Sequence, residues 1–65
     1  MIKVGEKFTE SSEHSDTSYI VTRVEGDKVY AKEFIAGKSY EPEHTFSEKE
    51  LLHGNAFCSY WFWKE

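Results

Sequence analysis

The chain has 65 residues, with 12 Asp and Glu against 8 Lys and Arg, a net charge of −4, and Cys58 as its single cysteine. That length holds one domain, residues 1–65, and the lone cysteine excludes an internal disulfide. The acidic balance argues against a binder of duplex nucleic acid or of a membrane surface, both of which draw affinity from clustered Lys and Arg.

A domain this short buries about 60% of the surface its unfolded chain exposes, so its core has to be built economically. Five Phe, four Tyr and two Trp supply the material, because each ring buries on the order of 150–250 Å². The segment Met1-Ile2-Lys3-Val4-Gly5 has no apolar run of the length export needs, and no stretch approaches the roughly 20 apolar residues of a membrane span. Together with the unpaired cysteine, this leads us to expect a cytoplasmic protein.

In chain order, Lys3 to Phe8 reads as a weak first strand bent at Gly5. Thr9 to Ser18 has no apolar side chain and reads as an acidic, mobile loop. Tyr19 to Val24 is rich in β-branched residues and predicts a strand. Gly26 supplies the turn that pairs it antiparallel with Val29 to Phe34. Alternation in this second strand puts Val29, Ala31 and Glu33 on the expected core side. Ala36-Gly37-Lys38 marks a further turn, and Lys38 to His44, containing Pro42, returns as an irregular or edge strand.

Ser47-Glu48-Lys49-Glu50 has the form of a capping box. The Ser47 hydroxyl would accept from the Glu50 N–H, and the Glu50 carboxylate would reach back. Phe46 before the cap and Leu51 within the first turn have the spacing of a hydrophobic staple. Gly54 ends the helix, which runs from Glu48 to His53. Six residues do not hold a helix alone, so Phe46, Leu51 and Leu52 are expected to dock on the sheet. Phe57 to Trp63 closes the chain as a strand that is apolar on both faces.

The fold class that follows is mainly β with one short helix. Gly5, Phe8, Tyr19, Val21, Val24, Gly26 and Val29 fall in the order of an SH3-like small antiparallel barrel, which this arrangement resembles. Phe46-Ser47 with Leu51-Leu52, a capped helical turn before the last strand, is similar to short phage and bacterial proteins. The resemblance implies a small binding module, such as a phage-type accessory or host-directed inhibitor protein. Signalling SH3 domains bind proline-rich peptides through an aromatic groove and an acidic loop, but their ALYDY-type motif and adjacent tryptophan pair are missing here.

Candidate chemistry is sparse. His14, His44, His53 and Cys58 do not show the close ligand pairs of a structural zinc site, so no metal and no cofactor is expected. A Cys58–His nucleophile would need an exposed, acidified thiol, whereas the aromatic strand around Cys58 predicts a buried one. No glycine-rich phosphate loop is present, and no catalytic residue is assigned.

The last strand carries the functional expectation. Cys58, Tyr60 and Phe62 point one way and are expected in the core. Phe57, Ser59, Trp61 and Trp63 point the other way. If neither the helix nor the N-terminal arm covers that second face, it forms an exposed patch of the kind that marks contacts. Phe57, Trp61 and Trp63 are therefore the expected partner-binding residues, for a protein partner or a homodimer. The alternative is binding of single-stranded nucleic acid by aromatic stacking, for which this strand offers only Lys64 as an interleaved cation.

Overall fold

The computed structural model describes residues 1–64. Its elements are β1 (Lys7–Ser12), β2 (Asp16–Glu25), β3 (Lys28–Ile35), β4 (Lys38–Ser47), α1 (Glu48–His53) and β5 (Cys58–Phe62). The strands form one antiparallel sheet in the order β4-β3-β2-β1-β5. β4 and β5 are its two edges, and no ladder joins them, so the fold is a five-stranded sheet rather than a hydrogen-bonded closed barrel.

Cross-strand register sets which side chains share the core. Phe8 lies opposite both Tyr19 and Phe62, Val21 opposite Ala31, and Val29 opposite both Val24 and Phe46. A register shift between Val21 and Arg23 marks a bulge, after which Val24 returns to the core side. Phe8, Tyr19, Val21, Val29, Ala31, Phe46 and Leu51 are buried together with Ile2, and Val24, Tyr60 and Phe62 pack partly against them. Ile2 is a core residue that its position near the chain start concealed.

The hairpin at Gly26 has the expected positive φ, +62°. α1 has the expected bounds, and the Glu50 N–H donates to the Ser47 hydroxyl at 3.0 Å. Phe46 and Leu51 are both buried, as the staple requires.

Several expectations are corrected. β1 begins at Lys7, because the chain turns at Gly5 (φ +93°), where the Gly5 N–H donates to the Val21 carbonyl. Thr9 to Ser18 is not a loop. β1 runs through Ser12 and β2 starts at Asp16, leaving a turn of only three residues. Lys38 to His44 belongs to a longer strand that reaches Ser47. Leu52 does not dock and is 56% exposed, because six residues of helix present only Leu51 fully to the sheet. Cys58, Tyr60 and Phe62 are half-buried rather than core, since an edge strand is covered from one side only.

Candidate functional site

Burial alternates along β5, with Cys58, Tyr60 and Phe62 half-buried and Ser59 and Trp61 exposed. This is the period-two signature of a strand with one face on the core. On the outward side Trp61 is 50% and Trp63 44% exposed, while Phe57, expected to begin the strand, lies in the bend before β5 and is 84% exposed. Three large rings therefore stand on one stretch of chain, two of them without any ring neighbour among the described residues.

Trp63 is held in place. Its main-chain N–H donates to the Lys7 carbonyl at 2.9 Å, which extends the β1–β5 pairing one residue past the strand. Its indole Nε1–H donates to the Thr9 hydroxyl at 2.8 Å. Thr9 is buried beneath it and also shares a 3.2 Å hydroxyl contact with Ser18. The Phe34 ring meets Trp63 edge-on at 6.1 Å, and the Lys7 ammonium lies 5.2 Å from the Phe34 centroid. An indole held by Thr9 and Phe34, on a main chain bonded to β1, loses little side-chain freedom on contact with a partner, which favours association.

Phe57 is presented by a different device. The Asn55 side-chain carbonyl accepts from the N–H groups of both Phe57 and Cys58, each at 2.8 Å. The Asn55 amide in turn donates to Glu50 at 2.7 Å. The Glu50 carboxylate thus serves the loop after α1 rather than reaching back to Ser47, because Asn55 comes within its range once Gly54 (φ +77°) reverses the chain. A Cβ at Gly54 would sit 3.2 Å from the Cys58 carbonyl oxygen, so this close turn requires glycine.

On the core side, the Tyr60 hydroxyl lies 3.0 Å from Glu10 and 3.3 Å from Glu50. Having one proton, it donates to the nearer Glu10 carboxylate. Burial, this hydrogen bond and the two carboxylate charges all push the Tyr60 hydroxyl pKa upward. It is a structural donor and not a poised base.

Beside Trp63 a groove of about 510 Å³ runs between the turn at Lys3–Lys7 and Trp63–Lys64. Its cations are Lys3, Lys7 and Lys64, and its one carboxylate, Glu6, accepts from the Lys3 main-chain N–H. None of these lysines joins the ion pairs of the described residues, which link Arg23 to Glu25 and Glu43 and Lys32 to Glu41.

His14 lies in the β1–β2 turn, His44 in β4, His53 at the end of α1 and Cys58 at the start of β5. Among the described residues no three His, Cys, Asp or Glu side chains converge as metal ligands.

Sequence reasoning missed Thr9, Phe34, Lys7 and Asn55. Only Asn55 left a local signal, an Asx residue directly after a helix-ending glycine. The others are brought to Trp63 by sheet pairing. No family model matches the chain, and no match is found among curated proteins or solved structures.

Proposed function

We propose that this chain is a non-catalytic, cytoplasmic protein-interaction module that meets a protein partner on the outward side of β5, through Phe57, Trp61 and Trp63. The observation that carries the reading is the exposure of these three rings beside a half-buried inward face. Exposed aromatic side chains, Trp above all, are where interface energy concentrates. The strand order, with a helical turn before the last strand, also supports reading the sheet as an SH3-like small barrel. The accessory or host-directed inhibitor role rests on the sequence resemblance alone.

The test is retention of proteins from the source cell's lysate on immobilised wild type and on a Phe57→Ser/Trp61→Ser variant. Trp63 is left intact because it covers Thr9. The reading expects a protein that wild type holds and the folded variant releases. Identical retention by the two would overturn it.

A second reading, binding of single-stranded nucleic acid, is favoured by one observation, the three lysines around Trp63. It expects oligonucleotide binding that weakens with salt and with Lys7→Glu.

A further inference from the structure

The two sheet edges are built differently. β4 carries Lys38, Glu41, Pro42 and Glu43, and its pairing with β3 shifts register between Lys32 and Glu33. Charge, proline and irregularity are the usual devices that keep an edge from acquiring another strand. β5 reads Cys-Ser-Tyr-Trp-Phe, with no charge and no proline, and it pairs with β1 without a register shift.

Main-chain groups along β5 alternate in direction. The Trp63 N–H donates to Lys7, and Trp61 lies opposite Thr9, so odd-numbered residues bond towards β1. Even-numbered residues therefore direct their N–H and C=O groups to the open side. At Cys58 the chain closes this side itself: the N–H donates to the Asn55 side chain and the C=O accepts from the Asn55 N–H at 3.0 Å. The outward main-chain groups of Tyr60 and Phe62 have no hydrogen-bond partner among the described residues.

Building on the assignment of β5 as the contact strand, we infer that this edge pairs antiparallel with β5 of a second copy of the chain, about a two-fold axis at Trp61. Tyr60 then lies opposite the partner subunit's Phe62, and Phe62 opposite the partner subunit's Tyr60. Both uncapped residues are used twice, and the Asn55 closure of Cys58 stays intact. A register centred on Tyr60 would instead set Phe62 against a Cys58 whose groups are already taken. An antiparallel edge is self-complementary and closes as a dimer.

The register also places the two Trp61 rings as a directly opposed pair at the more closely spaced type of site. Charge agrees with it. Lys64 makes no ion pair among the described residues. It follows Trp63 past the end of β5 and lines the groove beside it, and in this register it would lie opposite the partner subunit's Cys58. Glu10 and Glu50 converge on Tyr60, two residues along β5 from that Cys58. A cation of each copy thus approaches a carboxylate pair of the other.

The test combines sedimentation over a wide concentration range with amide hydrogen exchange. A reversible monomer–dimer equilibrium is expected. Exchange at the Tyr60 and Phe62 amides should slow with concentration, while Trp61 and Trp63, already bonded to β1, stay constant. Trp61→Lys opposes like charges at the axis and is expected to weaken dimerisation about tenfold or more. Lys64→Glu should weaken it most at low salt. A wild type that stays monomeric at millimolar concentration would overturn the inference, as would a dimer that Trp61→Lys leaves intact without concentration-dependent protection at Tyr60 and Phe62. Phe57→Ser lies outside the paired residues, so it should spare the dimer while removing a contact for a foreign protein. This separates failure of the self-pairing from failure of the broader reading.

Discussion

Phe8 is fully buried and meets four rings: Tyr19 stacked at 5.3 Å, Phe46 edge-on at 5.3 Å, Tyr60 at 6.2 Å and Phe62 at 5.3 Å. One side chain therefore links β1 to its strand neighbours β2 and β5 and, across the core, to β4. Aromatic pairs at these separations add about 0.5–1.5 kcal/mol beyond the area they bury. Truncating Phe8 to Ala is expected to cost about 3–5 kcal/mol, a large share of the stability of a domain this size. Phe62 touches the same cluster but is partly exposed, so Phe62→Ala should cost less. Denaturant midpoints of the two variants, measured side by side, decide the order. An equal or larger loss for Phe62→Ala would mean that the core is centred on β5 rather than on β1.

The elements that were readable in the sequence are those whose information is local. Ser47, Glu50, Phe46, Leu51 and Gly54 fall within nine positions, and together they define α1 and both of its ends. Replacing Ser47 by Ala removes the acceptor for the Glu50 N–H and is expected to cost about 1 kcal/mol. A urea midpoint that does not move would show that the cap contributes nothing. The β1–β2 hairpin was unreadable for the opposite reason. Its strands continue through Thr9–Ser12 and Asp16–Ser18 with polar side chains, because β1 is flanked by β2 on one side and β5 on the other. Ladder bonds on both sides hold a strand that has no apolar pattern of its own. Ser12, Ser15 and the Ser11–Asp16 hydrogen bond close the turn. Order parameters for Thr9–Ser12 are accordingly expected to match those of Tyr19–Val24, with mobility confined to residues 13–15. Low values throughout 9–18 would show that the hairpin does not persist in solution. The candidate site divides in the same way: strand alternation exposes Trp61 and Phe57 to prediction, while the Thr9 and Phe34 contacts that fix Trp63 depend on long-range pairing.

At the scale of the whole molecule, the acidic surplus meets the aromatic core at its Glu10–Glu50 side. Burial first, then the charges of Glu10, Glu33 and Cys58, push the Tyr19 hydroxyl up from its ordinary value of 10.0 to about 12. Tyr60 moves the same way, through burial, its hydrogen bond to Glu10 and the carboxylate charges of Glu10 and Glu50. The sign follows from linkage. Above pH 10 the unfolded chain loses tyrosine protons that the folded chain retains, so stability falls as pH rises. The contribution of the two neutral phenols is fully present below about pH 10 and is lost from there through about pH 12 and beyond. Lysine deprotonation in the same range alters the total, so the informative quantity is a difference between variants. Tyr60→Phe removes one phenol while keeping its ring against Phe8 and Phe46. It should lower stability at neutral pH, where the Glu10 hydrogen bond is lost, and it should flatten the alkaline decline. Denaturant midpoints followed upward from neutral pH should therefore converge for wild type and Tyr60→Phe. Curves that stay parallel through the alkaline range would mean that Tyr60 titrates alike in both states and that its contact with Glu10 does not hold the proton.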